Sequence, residues 1–288
     1  MMRSLMFVPA DSEKKLSKAR TSGADALAID LEDSVLPPRK DAARGLMRDW
    51  FAAQPDRQGL WVRVNDLASG HLLKDLAAVA PCRPAGILLP KIRGPEDVLA
   101  VGHYLEALEV AQGLDPGHIR IMVVVTETPI AVLRLGELAQ QAHPRISHVT
   151  WGAEDLSSAM GAADPRNEAG AWRPTYEHAR SQCLLVGHAL GAEVLDTLYV
   201  DFKDPESLRR ACAASRHDGF TGRIAIHPDQ VRIINESFSP SEAELQQARR
   251  IVEAFEHGAG AVSLDGKMYD VPHLKAARRL LSSTNAHN

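Results

Sequence analysis

The sequence predicts an α/β fold, a (β/α)8 barrel of the TIM type with a C-terminal helical extension, on three observations. Eight short apolar runs recur over about 230 residues, the arithmetic of that barrel. Amphipathic segments of helical length separate them. No Gly-x-Gly-x-x-Gly follows any run, as an open dinucleotide-binding sheet would need. The reading places a catalytic barrel at residues 1–237 and a helical extension or lid at 238–288 of the 288-residue chain.

Taken in order, the strand-like runs fall at 5–8, 26–31, 60–64, 85–89, 120–125, 147–151, 193–198 and 222–226. The stretches at 87–89 and 121–125 are apolar throughout, as parallel strands covered on both faces must be. Helical segments are expected at 38–53, 96–112, 174–190 and 205–216. Several carry Pro in the first turn or Asp or Ser just before it, the usual start signals. Beyond the eighth run come helices at 241–257 and 272–282. A Gly/Ala stretch at 257–262 separates them and reads as the hinge of a lid, or of an arm reaching a neighbouring subunit. The last residues, 284–288, are polar and expected to fray.

Composition narrows the function. Apolar residues make up 45% and charged residues 24%, with a formal charge of −4 and a pI near 6.3. That is ordinary globular chemistry with no basic footprint for nucleic acid. No apolar run reaches membrane length, and the opening eight residues are too short for a signal peptide. Cys82, Cys183 and Cys212 lack metal spacing and suit buried thiols in a reducing cytoplasm.

In this fold, chemistry comes from the C-terminal ends of strands. The second run ends in Asp30-Leu-Glu-Asp33, the third carries Arg63 and Asn65, and the fourth ends in Leu89-Pro-Lys91. The fifth delivers Glu127, and the sixth turns through Gly152 to Glu154 and Asp155. The seventh places Asp196 and Thr197, and the eighth ends at His227. Two hard oxygen ligands from neighbouring strand ends suit Mg²⁺, which keeps water or substrate oxygens at its other positions. The plainer alternative is that these acids cap the following helices. Arg63 has a fork suited to a carboxylate substrate, or to an internal ion pair with Glu32 or Asp33. Lys91 fits an ion pair or a Schiff base, and His227 fits a metal ligand, a base or, more often, a loop-fixing hydrogen bond.

Arg3-Ser-Leu-Met-Phe-Val-Pro9, Asp30-Leu-Glu-Asp-Ser-Val35, Arg63-Val-Asn65, Leu89-Pro-Lys91 and Glu127-Thr128 occur in that order. Gly152-Ala-Glu-Asp-Leu156, Ile226-His-Pro-Asp-Gln230 and Phe238-Ser-Pro-Ser241 continue the series. The set resembles the HpcH/HpaI aldolase family, including the citrate lyase β subunit and the stand-alone malyl-CoA and citramalyl-CoA lyases. The resemblance implies a Mg²⁺-dependent barrel, able to use Mn²⁺, that cleaves a 3-hydroxy-3-carboxyacyl-CoA into an acyl-CoA and a 2-oxo acid. It implies Glu127 and Asp155 as metal ligands that also meet the substrate. Arg63 would hold the 2-oxo acid carboxylate, helped by backbone N–H groups at Gly152 and Ala153. Glu32 and Asp33 would order water at the metal. Asp270 would be the acid/base, supplied by an adjacent subunit of a homotrimer or hexamer and carrying a raised pKa. Lys14, Lys18 and Arg39 would meet coenzyme A. Other activities the same site could serve are a citryl-carrier lyase subunit, a thioesterase and malate-synthase-like chemistry.

Overall fold

A computed structural model describes residues 1–141, 143–256 and 260–284, with side chains to residue 282. The chain forms two compact units, Met2–Glu236 and Ser237–Asn288, with Met1 grouped in the second.

The first unit opens with strand β1 (Ser4–Pro9) and helix α1 (Glu13–Ala19), the helix capped by the Ser12 side chain. Then come β2 (Ala26–Asp30), α2 (Lys40–Ala52), β3 (Leu60–Arg63), α3 (Leu72–Val79), β4 (Gly86–Leu89) and α4 (Pro95–Ala111). They are followed by β5 (Arg120–Val124), α5 (Pro129–Gln140), β6 (Ile146–Thr150), α6 (Ala153–Ala159) and α7 (Pro174–Ala189). β7 (Glu193–Asp196), α8 (Pro205–Asp218), β8 (Gly222–Ala225) and α9 (Pro228–Phe238) complete it. The eight strands close into a parallel barrel, β8 pairing back onto β1. All eight expected strands are present.

Six of the eight strands stop one or two residues earlier than the apolar runs suggest, while β4 ends where expected and β1 runs one residue further. At the rim the ladder thins to single bonds: Leu31 N–H to Arg63 O, Val64 N–H to Leu88 O and Val125 N–H to Thr150 O. Proline starts α4, α5, α7 and α8, where its missing N–H would be unpaired anyway. The segment expected to be helical from residue 38 begins as a 3₁₀ turn at Pro37–Arg39, and α2 starts at Lys40.

Strand alternation decides which side chains reach the barrel axis. Leu5, Ala26, Ala28, Trp61, Leu88, Met122, Val124, Leu195 and Ile224 form one buried cluster. Small Ala26 and Ala28 and the bare Gly86 make room for Trp61, whose ring lies where a Gly86 Cβ would stand. Extending the same parity, Asp30 follows Ala28 and Arg63 follows Trp61 on the inward face at the mouth. Asp196 follows inward-facing Leu195 and therefore points out, towards the helices.

The second unit holds α10 (Glu242–Ala254), strands β9 (Ala261–Leu264) and β10 (Lys267–Asp270), and α11 (Val271–Thr284). Ser241 and Glu244 form a reciprocal capping box at the start of α10. β9 and β10 pair as a hairpin that the sequence reading did not include. Ala248, Ile251, Phe255 and Ala277 give this unit its own small core, joined by Val262, Tyr269 and Leu274. Of the expected hinge at 257–262, residues 257–259 lie outside the described residues, and β9 takes up 261 and 262. Of the expected frayed end, residues 285–288 also lie outside them.

Among the described residues no helix is long and apolar enough to cross a membrane. The three cysteines are buried and free.

Candidate active site

The mouth is built from the ends of β2 to β6. Asp30, 1% exposed, accepts from Arg63 Nε at 2.8 Å and from Nη2 at 2.6 Å, a two-toothed fork. Its other lone pairs take the backbone N–H groups of Glu32 and Ser34. Arg63 also lies over the Phe7 ring, 4.5 Å from its centroid, and its Nη1 is 3.0 Å from Glu32 Oε2. Burial opposes the arginine's charge, but Asp30 and Glu32 hold its proton more tightly than usual. Glu32 Oε2 is buried and, despite that close approach, makes no aligned hydrogen bond.

Lys91 ties three strand ends together. Its backbone sits in the left-handed region at φ 51°, which turns its N–H onto Glu127 Oε2 at 2.6 Å. Its ammonium contacts Glu32 at 2.6 Å, Asp33 at 2.8 Å and Asp155 at 3.4 Å. Burial pulls the Lys91 pKa down, yet these carboxylates outweigh it and raise it. An amine so firmly protonated is a poor Schiff-base nucleophile, so the ion pair is the better account.

Glu127 is 5% exposed and lies against Gly152, where a Cβ would come within 2.6 Å of its Cγ. The Gly152 N–H is held by Thr126 Oγ1 at 3.2 Å, which fixes the turn into α6 and so the place of Asp155. Burial, then the neighbouring Asp155 and Glu32, push the Glu127 carboxyl well above its ordinary range. Like charges gathered in a buried mouth call for a compensating cation. Among the described residues no cage of three or more His, Cys, Asp or Glu exists. Glu127 and Asp155 offer two carboxylates from adjacent strand ends, one buried and one with its side chain 32% exposed. The pair fits Mg²⁺, which binds through one or two carboxylates and retains several waters.

Behind the mouth sits a supporting layer in which the sequence reading singles out Asn65 alone. The Lys40 ammonium donates to Leu31 O at 2.9 Å and to Glu32 O at 3.1 Å. Asn65 Nδ2 donates to the same Leu31 carbonyl and to Asp75, which also takes Arg44. A lysine opening a helix opposes the macrodipole, and that misplacement was the available signal that it serves something else.

Other expected site residues fall elsewhere. Asp196 does not reach the mouth. Its carboxylate accepts from Trp151 Nε1 and from Arg180, Ser215 and Arg223 between the sheet and the helices, and from the Thr197 N–H. His227 stacks on Phe202, with Nδ1 facing Asp229. Lys14 and Lys18 are exposed one turn apart on α1, and Arg39 reaches Asp11, two residues before that helix. Ala153 is buried, and Asp33 is half-exposed. Asp270 belongs to the second unit, where His273 Nδ1 lies 2.5 Å from its Oδ1. That contact lowers the Asp270 pKa, so the expected raised value is not met.

A closed barrel whose strand ends gather Asp30, Glu32, Glu127 and Asp155 around Arg63 and Lys91 defines a barrel enzyme with an acidic mouth. The chain belongs to the HpcH/HpaI aldolase/citrate lyase family, whose model matches residues 3–228, as the ordered motifs implied. It is an enzyme of the carbon–carbon lyase class. The (3S)-malyl-CoA thioesterase of Cereibacter sphaeroides is 34% identical over 99% of this chain and 95% of its own length. The mitochondrial citramalyl-CoA lyase of Mus musculus is 27% identical over 97% and 85%. The structure of Mycobacterium tuberculosis CitE with magnesium, acetoacetate and coenzyme A superposes with a TM-score of 0.81. That structure is 30% identical and covers 98% of this chain and 97% of its own.

Proposed function

We propose that the chain cleaves, and in reverse forms, the carbon–carbon bond of a malyl- or citramalyl-CoA type thioester, giving an acyl-CoA and a 2-oxo acid. One observation carries this reading: Glu127, Asp155 and Glu32 converge beside Arg63 in a mouth where burial makes their mutual repulsion costly. Glu127 and Asp155 are assigned to hold Mg²⁺, or Mn²⁺, which supplies a Lewis acid for the hydroxyl oxygen of the bond to be broken. The magnesium, acetoacetate and coenzyme A bound by the related CitE structure support that assignment.

Arg63, fixed by Asp30, presents Nη1 to the substrate carboxylate, with the N–H groups at Gly152 and Ala153 on the other side. Glu32 and Asp33, tethered by Lys91, order water at the mouth. Lys14, Lys18 and Arg39 receive the coenzyme A phosphates. Asp270, brought by a neighbouring copy in a cyclic homo-oligomer, protonates the thioester enolate as the carbon–carbon bond breaks, and removes that proton in the condensation direction. The barrel at 1–237 then carries the substrate site, and the extension from 238 serves as the arm.

The relative named a thioesterase favours a second reading, hydrolysis of the thioester at the same mouth. Product analysis separates the two. With Mg²⁺, malyl-, citramalyl- and citryl-CoA are each incubated with the purified chain. Lyase action yields acetyl-CoA and 2-oxo acid in equal amounts. Free coenzyme A and the intact hydroxy acid as sole products would overturn the proposal in favour of hydrolysis.

A further inference from the structure

We propose that His273 is a positioning residue for Asp270: its Nδ1–H orients the carboxylate and favours the ionised form that accepts the proton in the condensation direction. This rests on the reading of Asp270 as the proton donor.

Asp270 ends β10, and His273 stands three residues on, in the first turn of α11. Their side chains meet at 2.5 Å, the range of a charge-assisted bond. Two lone pairs do not approach so closely without a proton between them, which the proposal places on Nδ1. The Asp270 backbone N–H also points at the same nitrogen, 3.3 Å away. The ring is steadied by the edge of Tyr269, centroids 5.4 Å apart, and Gln247 of α10 donates to the Tyr269 hydroxyl.

His273 is the side chain that meets the Asp270 carboxylate. Arg250 of α10 is engaged by Asp265 at the far end of the hairpin. β9 contributes Ala261, Val262, Ser263 and Leu264, none of them titratable near neutrality, and the charged residue of β10 besides Asp270 is Lys267. The hydrogen bond from His273 holds the Asp270 carboxyl below its ordinary range. Both side chains are about half-exposed, so the ring exchanges protons with water.

The proton balance closes. On cleavage the carbon–carbon bond breaks, its electron pair stays on the thioester enolate, and the Asp270 carboxyl protonates that carbon. Solvent, which reaches both half-exposed side chains, then reprotonates the carboxylate. In the condensation direction Asp270 must be ionised to remove the proton, which the imidazole's hold on the carboxylate favours.

The test follows deuterium exchange at the α-carbon of acetyl-CoA or propionyl-CoA, with a 2-oxo acid and Mg²⁺ present, against pH. In the full chain the acidic limb is set by Asp270. His273→Leu moves that limb up by about one pH unit, and His273→Gln, which still donates a hydrogen bond, moves it less. Long-range ¹H–¹⁵N spectra find the proton on Nδ1, and Asp270→Ala removes that preference. An unmoved limb in both His273 variants, with exchange abolished by Asp270→Asn, overturns the proposal alone. So does a wild-type ring protonated only at Nε2. Full exchange in Asp270→Asn removes the Asp270 assignment itself, and the proposal with it.

Discussion

Arg63 owes its fixed orientation to Asp30, and the pairing can be traced to strand parity. Residues 26, 28 and 30 share one face of β2, and 61 and 63 share one face of β3, so acid and base meet at the top of the barrel axis. The sequence pointed to Glu32 or Asp33 as the ion-pair partner. The structure gives Arg63 to Asp30 and Glu32, while Asp33 goes to Lys91. Side chains that leave the strand after residue 30 no longer follow its alternation, so composition alone could not rank the three acids. Arg63→Lys keeps the charge but loses the fork. It is expected to cost about 2–4 kcal/mol in kcat/KM, the range for truncating a buried charged pair. Steady-state kinetics on the identified thioester measure this, with a thermal melt to confirm folding. Near wild-type kcat/KM would make Arg63 a structural residue.

At the level of elements, the turn after β6 places the chemistry and Gly152 sets its tolerance. Its φ of −119° suits any residue, so glycine is needed for space and not for backbone freedom. An added Cβ meets Glu127 Cγ at 2.6 Å and Oε1 at 3.0 Å, and must displace the carboxylate. Gly152→Ala is therefore expected to lower kcat by about a hundredfold, the effect of a misplacement near 1 Å, with the barrel still folded by circular dichroism. Unchanged turnover would show that Glu127 has slack. The eight strands were legible because their apolar runs are continuous, and α4, α7 and α8 were legible from their prolines. The outward turn of Asp196 was legible in principle from its parity with Leu195. The β9–β10 hairpin was missed although Asp265-Gly266, both with positive φ, sits between its strands as a hairpin dipeptide should. Lys40 was missed because its partners are main-chain carbonyls, which leave no trace in side-chain pattern.

On the scale of the whole molecule, the reading divides one active site between copies of the chain, with Arg63 from a barrel and Asp270 from a neighbour's arm. Arg63→Ala and Asp270→Ala are each expected to be inactive. Co-expressed in a cyclic assembly, they regain about a quarter of the activity, because random mixing leaves that share of sites with both residues intact. Inactive mixed assemblies, with mixing verified by native mass spectrometry, would place Asp270 in its own chain's site or outside catalysis. Everything else depends on the acids of β5 and β6 holding a divalent ion, and Mn²⁺ binding followed by electron paramagnetic resonance tests that without any substrate. Glu127 must be ionised to bind, and its carboxyl is held well above the ordinary range, so affinity rises with pH and binding releases protons. The account predicts one Mn²⁺ per chain, bound at least about tenfold more weakly by folded Glu127→Gln and by folded Asp155→Asn. Mn²⁺ affinity unchanged in both variants would contradict it.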